Sequence, residues 1–159
     1  KSKDLSNYNV LLFATHGVIA DEWEFLDEPA LVMTPPANEN STDNDGLLKA
    51  SEIRKLNLNA DLVVLSACNT ASGDNQSDEG LSGLASAFIF AGAKSIMASH
   101  WSVESNSTKL LITNFFENLK NSEVMTRSEA MRLSMKKLFS NQEYKHPIFW
   151  APFVLVGQS

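Results

Sequence analysis

The sequence predicts an α/β domain with a mainly parallel sheet and helices on both faces. Short apolar runs without polar alternation, such as VLLFA and LVVLSA, are separated by longer segments with helical periodicity. Unbroken apolar runs are typical of strands that are covered on both faces, and their alternation with helices is typical of parallel sheets. A chain of 159 residues has the length of one domain.

Four segments predict the strands of this sheet, and each is a run of apolar or small residues. They are Val10–Thr15, Leu62–Ala67, Ser95–Ser99 and Phe153–Val156. A further short strand is predicted within PALVMTPP, where Pro35 and Pro36 stop it. The polar segment 35–46 predicts an exposed, mobile loop because it is rich in turn-forming residues.

Three segments between the strands repeat apolar residues at helical spacing and therefore predict helices. The apolar positions are Leu81, Leu84, Ala85, Phe88, Ile89 and Gly92 in the first, Leu111, Ile112, Phe115, Phe116 and Leu119 in the second, and Met131, Met135, Leu138 and Phe139 in the third. Thr126 with Glu129 predicts a capping box at the start of the third helix. A shorter helix is predicted over Ser51–Leu56.

Composition argues against two classes of partner. The net charge is −6 and no run of lysine or arginine is present, which argues against direct binding of nucleic acid. No apolar run is long enough to cross a bilayer, so no membrane association is predicted. The single cysteine cannot form an internal disulfide, and this predicts a reducing, cytoplasmic location.

Two of the predicted strands end in chemically reactive residues. One is followed by His16 and Gly17, and the other by Cys68. Active residues of parallel sheets gather at the carboxyl ends of the strands, so His16 and Cys68 are predicted to share one edge. A thiolate nucleophile with a neighbouring histidine is the minimum requirement for thiol catalysis, and the backbone N–H groups of Gly17 and Cys68 are the natural donors to an oxyanion.

A structural interpretation stands beside this catalytic one. A lone cysteine after an apolar run is often a small core residue, and a His-Gly pair at a strand end is often a turn. From these residues alone the two interpretations are about equally supported. A nucleotide-binding α/β domain would need a glycine-rich loop that this sequence lacks, and no metal or organic cofactor is predicted.

Beyond these single residues, long segments of the chain resemble one family. LLFATHG, DGLLKASEIRKLNLNADLVVLSACNTASGD, EGLSGLASAFIFAGAKSIMASHW and HPIFWAPFVLVG follow one another as in the CHAT domain, a caspase-like cysteine peptidase domain related to caspases and separases. The resemblance implies a caspase-like fold, a catalytic pair of His16 and Cys68, and an oxyanion hole that includes Gly17. It also implies that residues 1–159 are the C-terminal part of a single such domain, with its opening strands missing from this chain.

The resemblance further implies a substrate cleft along the segment that follows the third long strand. The residues concerned are Ser99, His100, Trp101, Ser102, Val103, Glu104 and Ser105. Separases carry an acidic residue in this segment that binds a basic substrate side chain, and Ser105 occupies the matching position here. This departure weakens any expectation of arginine specificity. Glu104 is an alternative partner for a basic side chain, although a solvated surface carboxylate is the simpler interpretation.

The function implied is that of a bacterial, cytoplasmic cysteine endopeptidase that cleaves a partner protein through an acyl-enzyme. A sensor or tetratricopeptide repeat region outside the chain is expected to gate it, and that region or a partner chain is expected to supply the missing strands. The alternative is a non-catalytic CHAT module that acts as a scaffold or interaction domain.

Overall fold

A computed structural model describes residues 4–18, 20, 26–35, 45–66 and 83–158. Seven strands and four α-helices follow one another along these residues. They are β1 (Val10–Phe13), β2 (Gly17–Val18), β3 (Ala30–Val32), β4 (Leu47–Lys49), α1 (Ala50–Ile53), β5 (Leu62–Leu65), α2 (Gly83–Phe90), β6 (Ser95–Ser99), α3 (Ser105–Lys120), α4 (Arg127–Phe139) and β7 (Phe153–Gly157). A short 3-10 helix at Pro147–Phe149 precedes β7.

Within the described residues, the main sheet has four strands in the order β1-β5-β6-β7. β1, β5 and β6 are parallel, and only β7 runs antiparallel to its neighbour. Consecutive parallel strands need a crossover segment, which α2 supplies between β5 and β6. The predicted mixed α/β class with a mainly parallel sheet is therefore confirmed.

A second, three-stranded antiparallel sheet has the order β2-β3-β4. Only β3 was predicted, from PALVMTPP; β2 and β4 were not. Both are two or three residues long, so neither contains enough residues to display a period. β2 follows β1 directly in the chain, so the small sheet fixes the position of the intervening backbone at His16.

Each face of the main sheet has its own apolar core. On one face, α1 and α2 pack their buried side chains, among them Ile53 and Phe88, against Val63, Leu65 and Ile96. On the other face, α3 and α4 pack against Leu62, Val64 and Met97. Helices on both faces were predicted and are confirmed.

β1 departs from the prediction of a strand that is covered on both faces. Leu11 and Phe13 pack into the first core, but Val10 and Leu12 are 45% and 51% exposed. β1 lies at the edge of the sheet in the described chain, and no described helix lies over these two side chains well enough to bury them. Apolar runs do not distinguish a central strand from an edge strand.

Helix ends follow local chemistry, with one departure from the prediction. α2 ends in a Schellman motif: the N–H of Gly92 donates to Ile89 and that of Ala93 to Phe88, with Gly92 at φ +111°. Thr126 caps α4 by accepting from the N–H of Glu129. The capping box is not closed, because the Glu129 carboxylate pairs with Arg132 at 2.7 Å and 2.8 Å instead.

Some sequence predictions fall outside or only partly inside the described residues. Leu81, Cys68 and most of the predicted loop 35–46 lie outside them. The helix predicted at Ser51–Leu56 is shorter and begins one residue earlier, and Phe139 is 59% exposed rather than buried on the apolar face of α4. None of the described helices has both the length and the apolar character to span a membrane.

Candidate active site

The parallel register of β1 and β5 brings two strand ends to one edge of the sheet. Phe13 pairs with Leu65, and the N–H of Ser66 donates to the carbonyl of Phe13 at 2.9 Å. His16 therefore lies just beyond the edge at which β5 also ends. Cys68, predicted as the nucleophile and an oxyanion donor, lies outside the described residues, which stop at Ser66 before this gap.

Two hydrogen bonds hold the backbone around His16. The carbonyl of His16 accepts from the N–H of Val32 at 2.8 Å, and the Thr15 hydroxyl donates to the carbonyl of Val32. The His16 side chain itself is exposed, and none of the described residues donates to or accepts from its imidazole. The fold thus determines the position of the His16 backbone and leaves the ring accessible from solvent.

Gly17 presents its N–H away from the small sheet. Antiparallel ladders alternate between hydrogen-bonded and non-hydrogen-bonded pairs. Because the N–H of Val32 donates to the carbonyl of His16, these two residues form a hydrogen-bonded pair. The next pair, Gly17 with Leu31, is therefore a non-hydrogen-bonded pair. The Gly17 N–H therefore points away from β3, and among the described strands β2 lies at the edge of its sheet. Such an N–H is available to an oxyanion.

A cavity of about 510 Å³ opens beside His16. His16, Thr15 and Ser66 form the wall at the strand ends, and the first turns of α3 form the facing wall. From the predicted cleft segment, Val103 and Ser105 line this cavity. The structure therefore brings the predicted histidine and two of the seven predicted cleft residues to one concave site.

Other residues of the predicted cleft have structural contacts. Ser99 is fully buried in β6. The His100 N–H donates to the carbonyl of Pro152 at 3.0 Å, which continues the pairing between β6 and β7. Trp101 is 40% exposed, and its indole N–H donates to the carbonyl of Ile148 at 3.4 Å. Ser102 is exposed. None of these four belongs to the wall of the cavity among the described residues.

Glu104, the alternative partner for a basic substrate, is the N-cap of α3. Its two carboxylate oxygens accept from the N–H of Asn106 at 2.8 Å and of Ser107 at 2.7 Å. These backbone hydrogen bonds, led by that from Ser107, hold the pKa of the Glu104 carboxyl below its usual value. The carboxylate thus caps the N-terminus of α3, as acidic N-cap residues commonly do.

The sequence interpretation missed the wall that α3 contributes. Thr108, Lys109, Ile112 and Thr113 all line the cavity, as does Leu12 of β1. The available signal was their spacing: Ser105, Thr108, Lys109 and Ile112 repeat at three- and four-residue intervals directly after the predicted cleft segment. Among the described residues, no group of three or more histidine, cysteine or acidic side chains is arranged to hold a metal ion.

The fold and this site define an α/β domain whose candidate site lies at the carboxyl ends of two parallel strands. The sequence profile of the CHAT domain matches residues 1–158, so the chain belongs to the CHAT domain family, which is a caspase-like peptidase family. It is 34% identical over 111 residues to tetratricopeptide repeat protein 28 of Mus musculus and 33% identical to that of Homo sapiens. Each match covers 70% of this chain and only 4% of the relative.

Proposed function

We propose that this CHAT domain is a cysteine endopeptidase in which His16 and Cys68 form the catalytic pair. The observation that carries the proposal is the register of the two parallel strands. Phe13 pairs with Leu65, and His16 and Cys68 each lie three residues beyond one member of that pair. Both residues thus follow adjacent parallel strands by the same number of residues along the chain.

Covalent geometry supports the same arrangement. Ser66 lines the cavity beside His16, and Cys68 follows Ser66 by two residues. Two extended residues span at most about 7 Å, so covalent geometry limits how far Cys68 can lie from Ser66 in the cavity wall. This limit is compatible with a thiol that acts on a peptide in contact with His16.

The proposed reaction uses the ordinary steps of thiol catalysis. His16 accepts the thiol proton, and the Cys68 thiolate attacks the peptide carbonyl to form a carbon–sulfur bond. His16 then delivers that proton to the amine as the carbon–nitrogen bond breaks. Water hydrolyses the resulting thioester and releases the acid and the free thiol. The N–H groups of Gly17 and Cys68 donate to the oxyanion of the tetrahedral intermediate in each half of the reaction.

The substrate and the regulation belong to the proposal as well. The relatives are described as tetratricopeptide repeat proteins, and the chain spans about 4% of their length. We therefore propose that a repeat region outside this chain receives a signal and gates cleavage of a partner protein in a reducing, cytoplasmic environment. The unpaired edge of β1 in the described sheet is where further strands, from that region or from a partner chain, would add.

The reactivity of Cys68 tests the catalytic pair without knowledge of the substrate. In the full-length protein, alkylation of Cys68 by iodoacetamide is followed by peptide mass spectrometry between pH 5 and 9. A thiol paired with a histidine is alkylated at pH values well below 8.5, which is about the usual thiol pKa. His16→Ala should move the midpoint of the rate–pH profile back toward that value. His146→Asn is the matched control, because His146 only caps the helix before β7 and asparagine retains a capping side chain.

Hydrolysis of a diverse peptide library provides the second measurement. Cys68→Ala abolishes turnover, and His16→Ala lowers it by about 10²- to 10⁴-fold, as expected for loss of a general acid–base. A folded protein that cleaves nothing, and whose Cys68 reacts like a free thiol with or without His16, contradicts the proposal.

That outcome would support the second candidate, a non-catalytic scaffold or interaction module. One observation favours it: in the described chain, nothing orients the His16 imidazole. Catalytic histidines are commonly held by a third group, and the lack of one among these residues is what a binding module would show. A double variant, Cys68→Ala with His16→Ala, separates the scaffold from the peptidase. If it is a scaffold, the double variant still binds its partner and keeps all cellular activity.

A further inference from the structure

The α3 wall of the cavity carries a buried hydroxyl without a hydrogen-bond partner. Thr108 is 6% exposed, and its Oγ1 makes no hydrogen bond to any residue that the structure describes. A helical threonine normally donates to the carbonyl four residues earlier. Here that carbonyl, of Glu104, already accepts from the Thr108 N–H and the Ser107 hydroxyl, both at 3.0 Å. The Thr108 hydroxyl therefore has no partner among the described residues, and Thr108 is part of the cavity wall.

The same wall carries a lysine that has no ion-pair partner among the described residues. Lys109 follows Thr108 and also lines the cavity, and no described carboxylate lies within ion-pair distance of its ammonium group. None of the described residues that line the cavity is acidic. Glu104, one turn away, directs both of its oxygens to backbone N–H groups of α3. Among the described residues that line the cavity, the ionisable ones are thus Lys109 and His16.

Part of the cavity wall is aliphatic and can pack against the methylene groups of an entering side chain. Leu12 of β1, Val103 and Ile112 contribute aliphatic surface, and Leu12 is 51% exposed there. Methylene groups of an entering side chain can cover this apolar surface. The cavity therefore combines an aliphatic entrance with a hydroxyl donor and an ammonium group on one helix.

We propose that this cavity binds an acidic side chain of the peptide, with Lys109 as the residue that determines specificity. The carboxylate accepts from the Thr108 hydroxyl and from the Lys109 ammonium, both of which then gain partners. A basic side chain would instead meet Lys109 with no acid to receive it, because Ser105 replaces the acidic residue expected from separases. The identification of the peptide as a substrate rests on the proposed function, whereas the binding preference does not.

Binding is tested with the thiol removed, so that catalysis and recognition are separated. The full-length Cys68→Ala protein is titrated with fluorescent hexapeptide mixtures that carry Glu, Gln, Lys or Leu at one position and are randomised elsewhere. Fluorescence anisotropy is expected to show the Glu mixtures binding about tenfold more tightly than the Lys mixtures, the effect of roughly one charge-assisted hydrogen bond. The preference should weaken at high salt.

Variants of the α3 wall complete the test. Lys109→Glu is expected to reverse the preference, and Thr108→Val to weaken the Glu mixtures without weakening the Leu mixtures. Lys55→Glu is the control, because it makes the same charge change at an exposed lysine that follows α1 on the opposite face of the sheet. Tighter binding of Leu or Lys mixtures, no preference at all, or equal effects of Lys109→Glu and Lys55→Glu overturns the inference. Each result leaves the reactivity test of Cys68 unaffected.

Discussion

The carbonyl of His16 and the N–H of Val32 are joined by a hydrogen bond of 2.8 Å. Val32 ends the central strand of the small antiparallel sheet, and His16 follows the edge strand of the main parallel sheet. This hydrogen bond and the one from the Thr15 hydroxyl to the carbonyl of Val32 connect the segment after β1 to the small sheet, at the residue proposed to act as the general base. The small sheet, which has little core of its own, consequently acts as a support for the site.

Thr15 should act as a positioning residue for His16. Its hydroxyl donates to the carbonyl of Val32, so Thr15→Val removes one link between the sheets. We expect the free energy of unfolding to fall by about 1 kcal/mol and kcat for peptide hydrolysis to fall with little change in KM. Thr15→Ser retains the donor and should restore both. Urea denaturation and steady-state kinetics measure the two effects; a Thr15→Val protein with normal kcat would show that the link does not position His16.

Glu104 should make the stability of α3 depend on pH. Backbone hydrogen bonds lower the pKa of its carboxyl in the folded state, so the ionised cap stabilises the fold above the unfolded pKa of about 4.5. This contribution is lost as the pH falls through the lower folded value. Wild-type protein should therefore be more stable than Glu104→Gln at pH 7, and the difference should narrow toward pH 3. Thermal melts across this range measure it; a difference that is independent of pH contradicts the cap.

Gly92 should tolerate no side chain. Its φ is +111°, and a Cβ there would lie 2.3 Å from the carbonyl oxygen of Leu58. We expect Gly92→Ala to lower the free energy of unfolding by about 3 kcal/mol, at the upper end of the cost of a strained residue. Gly46→Ala is the matched control: its φ is also positive, at +77°, but the nearest atom lies at 3.4 Å. Its cost should be about 1 kcal/mol, from backbone strain alone; equal costs in urea denaturation would argue against the close approach.

Two phenylalanines assigned to apolar helix faces should differ strongly on truncation. Phe115 of α3 is fully buried in the second core, whereas Phe139 of α4 is 59% exposed beside Trp150. Phe115→Ala should cost about 3–5 kcal/mol and Phe139→Ala less than about 1 kcal/mol. Comparable losses, measured by denaturant unfolding, would mean that the face of α4 is covered by something other than the described chain.

The sequence was most informative where a segment is long or fully buried. β6 runs over the predicted Ser95–Ser99, because all five of its residues are buried and bounded by polar neighbours. β2 and β4 were missed because two- or three-residue strands have no measurable period. β1 was predicted as a strand. Its edge position and the exposure of Val10 and Leu12 depend on which elements pack beside it, and an apolar run does not indicate those elements.

In the candidate site, too, some residues could be predicted from the sequence and others only from the structure. Residue chemistry at two strand ends pointed to His16, Gly17 and Cys68 but supported a structural interpretation equally, and the family resemblance favoured the catalytic one. The opposing wall of the cavity, with Thr108 and Lys109, comes from a helix some ninety residues later in the chain than His16. Local sequence does not report such a juxtaposition, since it depends on how α3 packs across the sheet.

By itself, the sequence determined the α/β class, the family and the two strand ends where chemistry is expected, because local hydrophobic pattern and motif spacing depend only on neighbouring residues. Tertiary structure alone decided the register of Phe13 with Leu65, the link from Val32 to His16, and the positively charged wall opposite them. These depend on contacts between residues that are distant in the chain, which form only when the sheets and α3 pack together.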